Sequence, residues 1–360
     1  MAGSASILER VAARQWKLPS LPDAPALAQE SIRAAKTVYA GAHETPLQPA
    51  DWLSEACGAF VLLKLENKQA TGSFKVRGAT HKVLSMSREQ LDRGLVTSSS
   101  GNHAAAVLHA CRSAFLRAGG PEMRPRIFLP QTVSKGKMDS LEQQGADLQL
   151  HGTDCIQAET AARAAAEEGG LEYISPYNDL QVAGGQGTIA LELMAALPRE
   201  QLDTVLVPVG GGGLISGIAA CLKSADPSIK IIGCQPSASN IMAQSIVAGH
   251  VVDAASHDTL SDGTAGGVEP DSITYAACQE YVDEWVSVDE PEIAEAMLQT
   301  RHNTHMQIEG AAGVAVASCL KIGKRLQGQH VVIIICGGNV TDTTYSKAEE
   351  LLAAHHLPAA

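Results

Sequence analysis

A single lysine, Lys75, lies within the stretch TGSFKVRGA, where Phe74 and Val76 flank it and Gly72 and Gly78 bracket it. A lysine that only adds charge to a surface needs no such frame. An amine that acts as a nucleophile needs neighbours that exclude water and a backbone that lets a flat ligand approach closely. The stretch therefore predicts that Lys75 is a reactive amine.

A run of four glycines follows a valine-rich stretch and precedes an amphipathic helical pattern. In PVGGGGLISGIAACLK these residues are Gly210, Gly211, Gly212 and Gly213. Bare backbone N–H groups and the partial positive charge at a helix start together form a phosphate cradle. The run matches neither the dinucleotide fingerprint nor the lysine-containing P-loop. Because a tight turn needs only one or two glycines, we interpret the run as a phosphate site.

A second strand-to-helix turn, TSSSGNHAA, gathers polar side chains where helix N–H groups are unpaired. Its residues are Ser98, Ser99, Ser100, Gly101, Asn102 and His103. An anion such as a carboxylate would bind well there. The alternative interpretation is a helix cap, which needs one polar side chain and not five. Taken alone, His103 would more often be a structural or surface histidine.

A third turn, CGGNV, ends the very apolar stretch VVIIIC at Cys336. The ends of buried parallel strands face the crevice in which such sheets bind ligands, although a lone cysteine is most often a small core residue. A flat phosphorylated aldehyde held by a lysine would account for all four features: the amine, the phosphate cradle, the anion site and the deep strand end. The cofactor that fits this description is pyridoxal 5'-phosphate.

The elements that must position these residues alternate between short apolar runs and helical stretches after Pro46, which is typical of βαβ units and a mainly parallel sheet. The predicted strands are 60–66, 94–100, 126–130, 146–152, 203–210, 229–235 and 330–338. Helices are predicted over 102–119 and 153–170, each ending at glycine. Since no proline-rich linker divides the chain, we expect a second domain to be inserted within the first.

Composition excludes several classes of partner. The 360 residues include 39 acidic and 27 basic side chains, giving a net charge of −12 that disfavours nucleic acid and acidic membranes. No apolar run is long enough to span a bilayer. The eight cysteines are scattered without zinc spacing, which favours reduced thiols and a cytoplasmic location. The first twenty residues carry few acids, as in organelle-targeting peptides, but Glu9 and the lack of a serine-rich stretch argue against targeting.

Five motifs occur in the order and spacing of one known family: GSFKVRGA, SSSGNHAA, GQGTIALEL, PVGGGGLISGIA and CGGNV. From about Pro46 to Thr344 the chain resembles the serine/threonine dehydratase and serine racemase branch of fold-type II pyridoxal-phosphate enzymes. The resemblance implies an α/β, tryptophan synthase β-like fold with an open, mainly parallel sheet. It implies a large cofactor-binding domain of residues 1–90 and 173–360, a small inserted α/β domain of residues 91–172, no C-terminal regulatory domain, and a homodimer.

By this resemblance, Lys75 forms the internal aldimine, Phe74 packs beside the cofactor and Asn102 binds its 3-hydroxyl. Gly210–Gly213 hold the phosphate, and Cys336 faces the pyridine nitrogen. The resemblance also assigns the substrate carboxylate to the second turn, through Ser99, Ser100, Gly101 and His103. A neutral group at the pyridine nitrogen would disfavour a long-lived carbanion, so that prompt loss of a β-leaving group competes well.

Three positions leave the site's chemistry open. Ser100 lies where many dehydratases have alanine and racemases have serine, so it is either a second acid/base or a cap and carboxylate contact. Gln235 replaces the glutamate that binds a divalent cation in racemase-like relatives, so we expect no metal. Glu309 matches a glutamate near the cofactor in relatives but could equally be a helix-capping acid. The remaining candidate metal ligands, His302, His305, His355 and His356, have no acidic or cysteine partners in register.

The expected reaction is dehydration and deamination of a β-hydroxy amino acid, L-threonine or L-serine, to a 2-oxo acid and ammonia. The alternatives within the family are serine racemisation and dehydration of another 3-hydroxy amino acid such as 3-hydroxyaspartate. A hypothesis from another class is a pyridoxal-phosphate-binding regulator without activity. Intact Lys75, Asn102 and the four-glycine run argue against that regulator.

Overall fold

The computed structural model describes residues 5–20, 23–118 and 123–355. Ten strands lie in these ranges: β1 Leu47–Pro49, β2 Phe60–Lys64, β3 Leu95–Ser98, β4 Arg126–Leu129, β5 Asp147–Leu150, β6 Glu172–Tyr173, β7 Thr204–Pro208, β8 Lys230–Pro236, β9 Glu284–Val288 and β10 His330–Ile334. All seven predicted strands are present, and most of them end earlier than predicted. The sequence prediction missed β1, β6 and β9.

The strands form two separate sheets. The larger sheet has the order β1-β2-β10-β7-β8-β9 and is parallel except for the β1–β2 pair. The smaller sheet has the order β5-β4-β3-β6 and is wholly parallel. The central strands β7 and β10 are almost continuously apolar because both of their faces are buried, as is usual for parallel strands covered by helices.

Fifteen α-helices surround the sheets in the described ranges. They are α1 Ile7–Ala13, α2 Ala26–Ala34, α3 Asp51–Cys57, α4 Lys75–Ser85, α5 Arg88–Arg93, α6 Asn102–Ala118, α7 Lys135–Gln143, α8 Cys155–Gly169, α9 Leu180–Ala196, α10 Gly213–Ala225, α11 Ile241–Ala248, α12 Ile273–Tyr281, α13 Glu290–Thr304, α14 Gly310–Ile322 and α15 Asp342–His355. Both predicted helices, α6 and α8, are confirmed. None of the described helices combines the length and apolarity needed to cross a bilayer.

Helix α9 is the buried support of the site, since every residue from 182 to 195 is buried. Its glycines let other helices approach closely: a Cβ on Gly185 would lie 2.6 Å from the Cα of Gly78 in α4. In the sequence Gly78 only has a place beside Lys75, and the structure gives it a packing role. Gly78 is a helical residue whose missing side chain lets α4 pack against α9.

All four strands of the smaller sheet lie between residues 95 and 173, so that its last strand, β6, crosses the predicted boundary at residue 172. The exact division at 1–90, 91–172 and 173–360 stays a prediction. Residues 1 and 360, at which the predicted division begins and ends, and His356 lie outside the described residues.

Candidate active site

Every predicted site residue lines one cleft of about 1320 Å³. The cleft receives Lys75 from the start of α4, the second turn from the end of β3, and the four glycines from the end of β7. Cys336 enters from the end of β10. The carboxyl ends of these parallel strands thus bring together segments that are far apart in the sequence.

Lys75 is a suitable amine for covalent chemistry in this cleft. Its Nζ donates a hydrogen bond to the carbonyl oxygen of Pro176 at 2.7 Å and lies 5.2 Å from the ring centroid of Phe74. Burial lowers the pKa of Lys75 to about 8, although the nearby Cys336 and Glu309 act to raise it. At pH 7 about one lysine in ten is then neutral, far more than for an exposed lysine.

The four glycines connect β7 to α10, with Gly212 in the left-handed conformation at φ 88° as the N-cap of that helix. A Cβ on Gly211 would lie 2.5 Å from the ring of Tyr177, and one on Gly213 would lie 2.9 Å from the Tyr177 Cα. Sequence reasoning missed Tyr177, which packs directly against this loop. The run of glycines is thus required by close packing as well as by any ligand.

The backbone of this loop nevertheless remains available to a ligand. Within the described residues, the N–H groups of Gly210, Gly211, Gly212 and Gly213 have no hydrogen-bond acceptor. They line the cleft at the start of a 13-residue helix. Unpaired N–H groups at a helix start suit a phosphate, so the loop fits the phosphate of pyridoxal phosphate.

The serines of the second turn differ in what they contact. Ser98 donates to the Phe128 carbonyl oxygen at 3.2 Å, and the Oγ of Ser99 accepts from the N–H of Gly101 at 3.2 Å. The Ser100 side chain has no hydrogen-bond partner among the described residues. The Ser100 hydroxyl is therefore available to hydrogen-bond a ligand, whereas the Ser98 hydroxyl already donates to a backbone carbonyl.

His103 is a buried, neutral histidine. Its Nε2 donates to the Ile174 carbonyl oxygen at 3.0 Å, and its Nδ1 has no partner among the described residues. Burial and the charge of Lys75 lower the pKa of His103 to about 3. Any contact of His103 with a substrate carboxylate cannot rest on a positive imidazolium at neutral pH, and this predicted role stays a prediction.

Asn102 begins α6 and lies at the centre of a polar cluster that sequence reasoning located only in part. Its Nδ2 lies 2.9 Å from both carboxylate oxygens of Glu309, and its Oδ1 accepts from the Nδ2 of Asn339 at 2.7 Å. Glu309 is the N-cap residue of α14, but its side chain makes no capping hydrogen bond. Of the two interpretations of Glu309, the structure favours the one that places it at the site.

Cys336 follows β10 as a buried thiol. Its carbonyl oxygen accepts from the Phe74 N–H at 3.0 Å, which joins the third turn to the segment that carries Lys75. Burial and the carboxylate of Glu309 raise the pKa of the Cys336 thiol well above its usual value. Cys336 is therefore a neutral group at neutral pH, as expected for a partner of an unprotonated pyridine nitrogen.

Gln235 has no free oxygen for a cation. Its Nε2 donates to the Val209 carbonyl oxygen at 3.1 Å, and its Oε1 accepts from the Ala243 N–H at 2.8 Å. Across the described part of the chain, no group of three or more histidine, cysteine or acidic residues is placed to hold a metal ion. The expectation that no metal binds stays a prediction.

Residues 38–337 match the family described as "Pyridoxal-phosphate dependent enzyme". The chain is 38% identical over 312 residues to the L-threonine ammonia-lyase of Thermotoga maritima, covering 87% of this chain and 74% of that protein. It is 35% identical over 320 residues to the catabolic L-threonine dehydratase TdcB of Escherichia coli, covering 88% and 94% of the two chains.

Solved structures of similar proteins have the same fold as this chain. The processed form of threonine deaminase isoform 2 from Solanum lycopersicum superimposes with a TM-score of 0.83 at 34% identity, covering 90% of this chain and 93% of that one. Maize serine racemase superimposes with a TM-score of 0.79 at 29% identity, covering 89% and 98%. The expected α/β fold of the fold-type II enzymes is thus confirmed.

Proposed function

The chain belongs to the pyridoxal-phosphate-dependent enzymes, and on that premise we propose that it dehydrates and deaminates L-threonine or L-serine to a 2-oxo acid and ammonia. The observation that carries this proposal is a cleft in which burial lowers the pKa of the Lys75 amine. It is supported by relatives that are named threonine ammonia-lyase and threonine dehydratase. A regulator without activity has no need of such an amine.

Different residues of the cleft would hold different parts of the cofactor. Lys75 would attach the aldehyde carbon, the N–H groups of Gly210–Gly213 would bind the phosphate, and Phe74 would pack beside the ring. Asn102 would donate to the 3-oxygen, and the neutral thiol of Cys336 would be the partner of the pyridine nitrogen. Bound pyridoxal phosphate supplies an electron sink for the charge left on Cα when a proton departs.

The chain's own groups then handle the substrate. The N–H groups and hydroxyls of Ser99 and Ser100 bind and orient the carboxylate at the start of α6, while the N–H of Gly101 holds the Ser99 Oγ in place. The neutral Nζ of Lys75 takes the Cα proton as general base. The hydroxyl of Ser100, which has no partner among the described residues, donates a hydrogen bond to the departing β-hydroxyl or contacts the carboxylate.

Serine racemisation is the second candidate, and the free hydroxyl of Ser100 is the observation that favours it. A racemase needs a proton donor on the face of the substrate opposite the lysine, and Ser100 lines the same cleft as Lys75. The neutral Cys336 favours elimination, so we place racemisation second.

Assays on purified protein distinguish these functions. Given L-serine, L-threonine or D-serine, the protein should release 2-oxo acid from the L-isomers, measured by a coupled dehydrogenase, with enantiomers followed by chiral chromatography. Lys75→Ala should abolish turnover, because the covalent attachment and the general base disappear together. The exposed Lys324→Ala is the matched control and should retain activity. Turnover by Lys75→Ala would contradict the proposed role of Lys75.

The homodimer and the cytoplasmic location stay predictions that the family resemblance supports. The dimer predicts a mass in solution of about twice 37.6 kDa, which light scattering would measure.

A further inference from the structure

A chain of hydrogen bonds connects the backbone of Thr71 to the carboxylate of Glu309 through two asparagine side chains. The Nδ2 of Asn339 donates to the Thr71 carbonyl oxygen at 2.7 Å and to the Oδ1 of Asn102 at 2.7 Å. The Nδ2 of Asn102 in turn donates to the Glu309 carboxylate at 2.9 Å. Burial raises the pKa of Glu309 to about 7, so Glu309 is an ionised carboxylate above that pH, which is where binding is to be compared. Both ends of the chain, the Thr71 carbonyl and the ionised Glu309 carboxylate, can then only accept hydrogen bonds.

Because both ends only accept, the two amides between them can take only one orientation. Rotating the Asn102 amide by 180° would set its oxygen against the Glu309 carboxylate and its NH₂ against that of Asn339. Rotating the Asn339 amide would set its oxygen against the Thr71 carbonyl. Each rotation replaces hydrogen bonds with repulsive contacts. The cost is largest at the Glu309 end, where the carboxylate is buried and Asn102 is half-buried, and smaller at Asn339, which is exposed.

Two glycines make room for this arrangement. A Cβ on Gly72, which has φ 73°, would lie 2.3 Å from the Oδ1 of Asn339. A Cβ on Gly337 would lie 2.6 Å from the Oε1 of Glu309. That same oxygen accepts from the Asn339 N–H at 2.8 Å, so the carboxylate is held in place from a second direction. Gly72, in the stretch that carries Lys75, and Gly337, in the third turn, therefore allow the amide chain to pack.

The arrangement leaves one N–H of Asn102 unused. Since its Nδ2 is 2.9 Å from both Glu309 oxygens, one N–H is shared between them and the other is free. Asn102, Glu309 and Asn339 all line the cleft. We propose that Glu309 and Asn339 are positioning residues that make Asn102 present an N–H donor, and never its oxygen, to an anionic oxygen of the bound cofactor. This inference rests on the proposed function, which identifies that oxygen as the 3-oxygen of pyridoxal phosphate.

The test compares two ligands that differ only at that oxygen. The apoprotein is titrated with pyridoxal 5'-phosphate and with 3-deoxypyridoxal 5'-phosphate, and the dissociation constants are measured from protein fluorescence. In Glu309→Gln, an NH₂ replaces one carboxylate oxygen, so the Asn102 amide is no longer held in one orientation. We expect binding of pyridoxal phosphate to weaken about tenfold, as for loss of a hydrogen bond to a charged group, and binding of the 3-deoxy compound to change less than about twofold.

Comparing the ratio of the two constants removes effects that both ligands share. Loss of the Glu309 charge acts equally on either phosphate, and so does any general loosening of the fold. The additional effect of this charge loss on the anionic 3-oxygen would strengthen binding of pyridoxal phosphate, so it cannot produce the expected weakening. Asn102→Ala should abolish the preference for the 3-oxygen, and adding Glu309→Gln to it should weaken binding no further. Glu295→Gln, an exposed glutamate on α13, is the matched control and should leave both constants unchanged.

Several results would overturn the inference. Equal weakening for both ligands would show that Glu309 only supports the fold, and unchanged binding of both would show that it does not position Asn102. If Glu309→Gln fails to fold, Asn339→Ala carries the same comparison with the same expected loss for pyridoxal phosphate alone. Wild-type protein that binds neither ligand would instead overturn the proposed function.

Discussion

Arg77 is fully buried in α4, two residues after Lys75, and its guanidinium binds two carboxylates at once. Glu66 accepts from Nε at 2.7 Å and from Nη2 at 2.8 Å, and Glu192 accepts from Nη1 at 2.6 Å and from Nη2 at 2.9 Å. Lys64 also binds Glu192, so the cluster holds two positive and two negative charges. We predict that Arg77→Met, which leaves one negative charge unpaired in the interior, is strongly destabilising.

The expected magnitude is that of breaking a buried ion pair. Removing one partner of a buried ion pair costs about 3–5 kcal/mol. Burial alone would raise the pKa of Glu192, but Arg77 and Lys64 lower it from 4.5 to about 2. That difference corresponds to about 3 kcal/mol of stability, which is complete above pH 4.5 and is lost as the pH falls towards 2. We therefore expect Arg77→Met to lower the free energy of unfolding by about 3–5 kcal/mol at pH 7.

Urea unfolding of the apoprotein, followed by tryptophan fluorescence, measures this loss. For a chain of this size it should lower the transition midpoint by about 1 M. Arg88→Met is the matched control, because Arg88 is exposed and, among the described residues, forms its ion pair with Asp92 one turn away. Such a surface pair contributes about 0.3–0.5 kcal/mol. The deficit of Arg77→Met should shrink at pH 5, where the unpaired buried carboxylate can take up a proton.

An Arg77→Met loss no larger than that of Arg88→Met would refute this reasoning. So would a deficit that is the same at pH 5 and pH 7, because the destabilisation would then not come from an unpaired carboxylate.

Three further predictions concern the site. The rate at which apoprotein attaches pyridoxal phosphate to Lys75 should rise with pH and level off above about 8, because only the neutral amine reacts and burial lowers the pKa of Lys75 to about 8. Stopped-flow absorbance measures this rate, and a rate still climbing at pH 10 would contradict the lowered pKa. Ser100→Ala should leave elimination from L-serine or L-threonine within about tenfold and reduce any racemisation further, since Lys75 alone serves the L-isomer. Loss of L-elimination with cofactor still bound would assign Ser100 to the carboxylate or the leaving group. Treatment with EDTA should leave activity within about twofold, because a hard cation prefers charged oxygen ligands and both ends of Gln235 are occupied. A large loss restored by magnesium or calcium would refute this.

Features that depend on short stretches of chain were predictable from the sequence. Alternating apolar runs located seven of the ten strands in the described residues, and the glycine run, the serine-rich turn and Lys75 were each recognisable within ten residues. These features are local because backbone hydrogen bonding, helix capping and the need for bare N–H groups act between near neighbours. The missed strands β1 and β6 have three and two residues, too few to show a period.

Contacts between side chains that are distant in the sequence became visible only in the three-dimensional structure. Glu309 lies 207 residues from Asn102, and nothing near either residue in the sequence distinguishes a capping acid from one that holds an amide. The packing role of Gly78 was not predictable for the same reason, since its partner Gly185 lies on another helix. Arg77 acquires its two carboxylates only when α4 packs against α9 and against the segment that follows β2. Contacts of this kind depend on the packing of whole elements, which the local pattern of residues does not specify.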